Sequence, residues 1–176
     1  YSGAAIPVTV TLANQGSQQN TFGACLDTLI NIENLTFSVF NDTLTGYGAV
    51  NVLNGGAGDD SITINHAIGA LIDGGAGLNV FDVSGADQDT FVFGGRDVDT
   101  VTISSIGHAI VHTADGDDVI NASSESSDAR TGISSGEGVD TVNLDANNYG
   151  HYRMRLGDGQ DVVNLSASTD VIGDPK

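Results

Sequence analysis

The sequence predicts an all-β protein, a right-handed parallel β-solenoid of about seven coils, each of roughly 18–22 residues. Three observations predict this fold. A nine-residue unit recurs along the chain, apolar residues lie two apart within each unit, and no unit holds enough apolar surface to fold alone. A unit of this kind is stable only when it stacks on its neighbours.

Residues 1–36 are less regular than the rest and are predicted to form an N-terminal capping coil, with the solenoid proper at 37–176. A strand of alternating apolar and polar residues is predicted at 8–12, and residues 22–30 are a degenerate copy of the nine-residue unit. Such a coil would cover the first open edge of the stack, which otherwise invites pairing with other chains. Cys25 is the single cysteine and is expected to be a small buried apolar residue.

The repeat is clearest at 37–63, where three units follow one another as FSVFNDTLT, GYGAVNVLN and GGAGDDSIT. The third unit fits the pattern G-G-x-G-x-D-x-U-x, where U is a large apolar residue. Later copies start at positions 74, 94, 113, 135 and 156, and their sixth positions follow one another at intervals of 19 to 22 residues. One coil is therefore about two units long, with well-formed turns on only one side of the stack.

The strand that ends each unit has apolar residues at alternate positions, which a strand places on one face. The residues between them are mostly Ser, Thr and Asn, which suit a face in water. The segment 122–133 interrupts the period and is predicted to be a bulged loop. The pairs predicted to point inward are Ile62/Ile64, Phe81/Val83, Val101/Ile103, Val142/Leu144 and Val163/Leu165.

The chain of 176 residues has a formal net charge of −18, with 5 Lys and Arg residues against 23 Asp and Glu residues. Nucleic acid is excluded as a partner because no basic stripe is present to neutralise phosphates. Membrane insertion is not expected, because no apolar run is long enough to span a bilayer. A fold with this much self-repulsion needs counter-charge, and bound cations are the obvious source.

The turns of the repeat supply oxygen ligands. Glycines allow a tight turn that aims carbonyl oxygens inward, and the sixth-position Asp places a carboxylate at the same turn. Turns stacked in two layers then form a cage of the kind that a hard cation with about six to eight oxygen ligands requires, and calcium suits it better than magnesium. No His or Cys cluster has the spacing of a zinc site.

The unit GGAGDDSIT resembles the calcium-binding nonapeptide of the RTX (repeats-in-toxin, hemolysin-type) proteins. The resemblance covers roughly residues 22–173 and is strongest at 37–63. It implies a parallel β-roll with calcium ions between successive turns, in a bacterial protein exported by type I secretion. Carried over position by position, it implies one row of calcium ligands: Asp42, Asp60, Asn79, Asp99, Asp118, Asp140 and Asp161.

The opposite turns have lost most of their glycines, and little or no metal is expected there. Their sixth positions are Asn51, Ala70, Asp89, Ala109, Tyr152 and Asp170.

The expected function is a non-catalytic calcium-binding module of a secreted or cell-surface protein, which folds on extracellular calcium and acts as a spacer or display segment. The chain has no H-E-x-x-H motif, no G-x-S-x-G motif and no nucleophile–base pair at a usable spacing, so an enzyme is not expected. Two alternatives stay open. One is a metal-free solenoid, and the other is a carbohydrate-binding or adhesion module that uses a patch of Tyr149, Tyr152, Arg153 and Arg155.

Overall fold

The computed structural model describes residues 1–48, 51–66, 68–85, 89–104, 107–124, 126, 128–146 and 151–167. Across these residues the protein is all-β, without a helix, and its parallel sheets stack as a β-solenoid of about six turns. The predicted fold class is therefore confirmed, with about one turn fewer than expected. The segment that would close the last coil, 168–176, lies outside the described residues. The right-handed sense of the coil stays a prediction.

Two parallel sheets form the walls of the solenoid, and the chain alternates between them. With strands numbered in chain order, the eight-stranded first sheet of the described residues runs β1 (Thr9–Thr11), β5 (Thr43–Tyr47), β7 (Ser61–Asn65), β9 (Val80–Ser84), β11 (Thr100–Ser104), β13 (Val119–Ser123), β15 (Thr141–Ala146) and β17 (Val162–Ala167). The seven-stranded second sheet runs β4 (Asn34–Thr36), β6 (Val52–Asn54), β8 (Leu71–Asp73), β10 (Thr90–Gly95), β12 (His108–Ala114), β14 (Arg130–Ser134) and β16 (His151–Arg155).

The core lies between the two sheets and is built from columns of apolar side chains in register. One column of the first sheet runs Leu44, Ile62, Phe81, Val101, Ile120 and Val142, all at most 1% exposed. The facing column of the second sheet runs Leu35, Leu53, Ile72, Val92, Val111 and Ile133, all buried. Because every second side chain of a strand points inward, these apolar residues form a continuous apolar interior.

Four of the five predicted inward pairs are buried, and the fifth is not. Val163 and Leu165 are 38% and 68% exposed, although they pair in register with the buried Val142 and Leu144. The reason is their place in the fold, because β17 is the last strand of its sheet among the described residues. The side chains face the interior, but no further strand of the first sheet lies beyond them among the described residues.

The predicted bulged loop at 122–133 is wrong at both ends, where residues 122–123 and 130–133 belong to strands. Strand β13 continues to Ser123, and β14 begins at Arg130 in register with His108. Ala122 and Ile133 occupy inward positions and are 4% and 3% exposed. Burial of these two side chains favours pairing of their segments with the sheets, before and after the residues that lie outside the strands.

The degenerate repeat at 22–30 does not form a solenoid turn. It contributes instead to an antiparallel hairpin of β2 (Gln18–Phe22) and β3 (Cys25–Thr28). The expected burial of Cys25 is also wrong, because this residue lies exposed at the hairpin turn with φ of 77°.

The hairpin covers part of the open edge of β1. The side-chain amide of Gln19 accepts a hydrogen bond from Thr11 N (2.9 Å) and donates one to Thr11 O (3.0 Å). Val8 forms a further antiparallel bridge to Phe22. These contacts satisfy backbone groups of β1, whose other side pairs with β5. Division of the chain into units at 1–36 and 37–176 stays a prediction.

Candidate metal centre

The fold brings all seven sixth-position residues into one column at one edge of the first sheet. Each residue immediately precedes a first-sheet strand, and parallel strands in register place equivalent residues above one another. Six of the seven are at most 3% exposed, and the last is partly exposed. We call this set the aspartate column: Asp42, Asp60, Asn79, Asp99, Asp118, Asp140 and Asp161.

A ladder of hydrogen bonds runs along the aspartate column. The backbone N–H of each residue donates to Oδ1 of the column residue one turn later in the chain. Val8 N starts the ladder by donating to Asp42 Oδ1 at 2.7 Å. The following steps are Asp42 to Asp60 (2.8 Å), Asp60 to Asn79 (3.1 Å), Asn79 to Asp99 (2.9 Å), Asp99 to Asp118 (2.8 Å), Asp118 to Asp140 (2.9 Å) and Asp140 to Asp161 (3.1 Å).

The second oxygen, Oδ2, of four column carboxylates is buried and has no hydrogen-bond partner among the described residues. These carboxylates belong to Asp60, Asp99, Asp118 and Asp140. A buried carboxylate oxygen normally finds a donor or a cation, because an uncompensated buried charge is costly. The four oxygens therefore mark positions where a ligand or a proton is required.

The other buried members of the column satisfy their side chains within the protein. Asp42 Oδ2 accepts hydrogen bonds from Ser38 N at 2.8 Å and from Ser38 Oγ at 2.7 Å. Asn79 Nδ2 donates to Gly77 O at 3.0 Å. The first carboxylate and the amide thus differ from the four carboxylates with an unpartnered oxygen.

Glycine at the first position of a repeat makes room for the unpartnered oxygen. A Cβ placed on Gly55 would collide with Asp60 Oδ2, and one placed on Gly94 would collide with Asp99 Oδ2. Gly56 and Gly58 have φ of 102° and 112°, a region that other residues rarely adopt. The turn sequence therefore specifies both the tight backbone and the space beside the carboxylate.

Burial raises the pKa of the column carboxyls. It raises the pKa of Asp60 to about 6 and that of Asp99 to about 7, and neighbouring carboxylates add to both increases. The backbone N–H donors of the ladder act in the opposite direction on both groups. Burial also raises the pKa of Asp118. The increases arise because burial disfavours the charged form, and hydrogen bonds, including those from Asn79 to Asp99 and from Thr113 to Asp118, offset this only in part.

The oxygen atoms at this edge are ligands of the kind that a hard cation prefers. Across the described residues, no group of three or more His, Cys, Asp or Glu side chains converges closely enough to hold a metal ion. A cation beside Oδ2 would therefore take its other ligands from main-chain carbonyls of the stacked turns and from water, as calcium does. The unpartnered oxygens fit such an ion, and the lack of nitrogen and sulfur donors does not fit zinc.

The opposite turns do not form a second column of carboxylates. Ala70 and Ala109 have no side-chain oxygen, and Asn51 is a buried amide. Asp89 is exposed and lies within hydrogen-bond distance of His108, with His108 Nδ1 and Asp89 Oδ1 3.1 Å apart. Asp170 lies outside the described residues.

The predicted ligand patch is only partly assembled. Arg153 and Arg155 lie exposed on the outer face of β16. Tyr152 precedes Arg153 in sequence and points to the other face, where its hydroxyl is buried and has no partner among the described residues. Tyr149 lies outside the described residues. Arg130, on the neighbouring strand β14, lies opposite His151 in the strand register and belongs to the same surface. Sequence reasoning missed it because it was assigned to the loop.

Fold and site together define a class, a parallel β-solenoid with a column of buried aspartates along one edge. Comparison with known protein families, with curated proteins and with solved structures found no match. No helix of the described residues is long and apolar enough to cross a membrane.

Proposed function

We propose that this chain is a non-catalytic, calcium-binding β-roll module of the RTX type, which belongs to a secreted or cell-surface protein and folds on extracellular calcium. The observation that carries the proposal is the set of four buried, unpartnered carboxylate oxygens in the aspartate column. The match of GGAGDDSIT to the calcium-binding nonapeptide agrees with it.

The charges of the column need a cation. Asp99, Asp118 and Asp140 follow one another on adjacent turns, and strand spacing places their backbones about 4.8 Å apart. At that separation, two ionised carboxylates repel by ~3 kcal/mol for an effective dielectric constant of about 20. Among the described residues, the contact found between a carboxylate and a basic side chain joins Asp89 to His108, away from the column. A divalent ion between neighbouring turns turns this repulsion into attraction.

Calcium is the cation that the donors favour. The column offers carboxylate, amide and main-chain oxygens, and calcium accepts an irregular set of oxygen ligands. Magnesium demands a stricter octahedron and gives up its water reluctantly, so turns built mainly from carbonyl groups bind it less well.

Folding and calcium binding are linked in this proposal. At low calcium, as in a cytoplasm, repulsion within a chain of net charge −18 favours the unfolded, exportable state. Millimolar calcium outside the cell binds only the folded turns and shifts the equilibrium toward them. The module then acts as a spacer or display segment, and its carboxylates serve as ligands rather than as catalytic acids.

Calcium titration of the metal-free protein tests the proposal. Circular dichroism should show a cooperative gain of β-structure, calorimetry should show binding of several ions over the same range, and magnesium should fail to reproduce either effect. A fully β-structured protein in excess chelator that takes up no calcium would contradict the proposal and favour the metal-free solenoid.

A further inference from the structure

The outer face of the second sheet carries most of the positive charge of the chain. Three of its five Lys and Arg residues are Arg130, Arg153 and Arg155, which lie exposed on β14 and β16. Three of the four histidines lie exposed on the same face, namely His108, His112 and His151. Such a concentration on one surface of a strongly acidic chain points to an anionic partner.

Parallel register arranges the outward residues of β12, β14 and β16 as a grid of three rows and three columns. Neighbouring strands are about 4.8 Å apart and alternate residues of one strand about 6.6 Å apart, so the grid measures roughly 10 by 13 Å. Its rows are His108–Arg130–His151, Ile110–Gly132–Arg153 and His112–Ser134–Arg155.

Gly132 forms a depression at the centre of the grid. A Cβ placed there would meet Ile110 Cγ1 at 3.9 Å and nothing closer. Cavities of about 530 and 440 Å³ adjoin at this point, since Ile110, Gly132 and Arg153 line both of them. The two cavities form one groove across the strands.

The guanidinium groups of the groove are available to a ligand. Within the described part of the chain, no hydrogen bond or ion pair engages the guanidinium group of Arg130, Arg153 or Arg155. The edge of the groove also carries apolar surface, since Ile110 is 48% and Phe93 36% exposed. Asp89 also lines the larger cavity, where its Oδ1 lies 3.1 Å from His108 Nδ1, so the cationic groups of the groove that no described residue engages are the three guanidinium groups. They lie beside apolar contact area.

We propose that this groove binds an acidic oligosaccharide of the uronate type. Each guanidinium would pair with a sugar carboxylate through two parallel hydrogen bonds, a geometry that lysine does not provide. Histidine side chains would hydrogen-bond sugar hydroxyls, and the apolar faces of the sugar rings would lie on Ile110 and Phe93. The site is on a different face from the aspartate column and does not depend on the identity of the cation there.

Charge and shape favour a sugar over other anions. A nucleic acid would bring a dense row of phosphates to a chain of net charge −18, and three arginines displace few counterions. An extended acidic peptide binds well where a sheet edge can pair with its backbone, whereas the groove lies on the outer face of β12, β14 and β16 and presents side chains to a ligand.

Calorimetry of the folded, calcium-supplied protein with short oligogalacturonates tests the assignment. Neutral glucan oligosaccharides of equal length, a short DNA duplex and an acidic peptide serve as comparison ligands. Circular dichroism of each variant checks that the fold is retained. We expect R130Q and R153Q each to weaken oligogalacturonate binding about tenfold. R96Q removes the same charge from a turn outside the grid and should leave the affinity within about twofold.

The outcomes separate this proposal from the calcium proposal. Binding that is specific for oligogalacturonate and depends on Arg130 and Arg153 supports the site, whether or not calcium is the ion in the column. No binding by a correctly folded protein would overturn it, as would equal binding of neutral glucan or an equal loss in R96Q. Arginine-dependent binding of DNA or peptide in place of the sugar would overturn the choice of ligand.

Discussion

The backbone N–H of Asp99 donates a 2.8 Å hydrogen bond to Oδ1 of Asp118, a residue 19 positions later and one turn further along the solenoid. The second oxygen of Asp118 is buried and unpartnered. One carboxylate therefore has two separable tasks, because one oxygen connects two turns and the other calls for a cation.

Substitution of Asp118 separates these tasks. D118N keeps an acceptor for Asp99 N and removes the buried charge, as Asn79 does naturally in the column. In metal-free buffer we expect D118N to be at least as stable as the wild-type chain, and in calcium to bind less of the ion. D118A leaves the Asp99 N–H without its acceptor and should cost about 1–3 kcal/mol in both conditions.

Urea unfolding, in calcium at neutral pH and in metal-free buffer at about pH 5, where Asp60 and Asp99 hold protons, gives the stabilities, and native mass spectrometry counts the ions. The double variant D118A/D140A should bind fewer calcium ions than the wild type. An unchanged count would show that these carboxylates are not ligands.

The metal-free protein should lose stability as the pH rises. The pKa values of Asp60 and Asp99 are raised to about 6 and about 7 in the folded state, whereas an unfolded Asp titrates near ~3.9. Between these values the folded state binds more protons than the unfolded state, so the free energy of unfolding falls with increasing pH. Thermal melts of dialysed, metal-free protein from about pH 4.5 to pH 8 check the sign.

With saturating calcium, the decrease in the free energy of unfolding with rising pH should become smaller or reverse, because protons and calcium compete for the same oxygens. A metal-free protein whose melting temperature rises steadily over this range would show that the column carboxylates are compensated by something other than a proton or a cation.

Gly94 and Gly132 form a matched pair for testing the space beside Oδ2. A Cβ on Gly94 collides with Asp99 Oδ2, whereas one on Gly132 makes only an ordinary van der Waals contact with Ile110 Cγ1, at 3.9 Å. We expect G94A to destabilise the calcium-loaded protein by more than ~2 kcal/mol and G132A to change it by less than ~1 kcal/mol. Chemical denaturation measures both. Equal effects of the two changes would mean that the oxygen does not occupy the position described.

Leu144 and Leu165 are neighbours in register that differ in burial, at 3% and 68% exposed. L144A should cost about 2–5 kcal/mol, since it opens a cavity in the core. L165A should cost less than ~1 kcal/mol, because much of its side chain already contacts solvent. Similar costs for the two variants, measured by urea denaturation, would show that the end of the stack is covered in solution.

The fold and the column were predictable because both follow from local, periodic signals. Apolar residues at every second position predict which face of β7 or β11 is buried. The position of Asp60 and Asp118 within the nine-residue unit predicts that they lie at equivalent turns. Regular spacing is enough to bring such residues together once the strands are parallel and in register.

The remaining features depend on contacts that spacing does not reveal. Strand β14 holds one large apolar residue, Ile133, so its sequence carries no alternating apolar pattern. Its pairing with β12 is recognised only in the three-dimensional structure. Residues 22–30 keep repeat positions but pair with the preceding segment as a hairpin. The cationic grid arises from three strands far apart in sequence, and the misplacement of Arg130 hid it.

Every rung of the ladder points the same way along the chain, from an earlier N–H to a later side chain. The solenoid therefore has a direction that its repeated shape conceals. A cut that removes later turns leaves a buried donor without an acceptor, and a cut that removes earlier turns leaves an acceptor without a donor. A stack that grows toward the C-terminus supplies the missing acceptor of the preceding turn at each step, whereas one that grows toward the N-terminus supplies the missing donor of the following turn, so the two directions of growth are not equivalent.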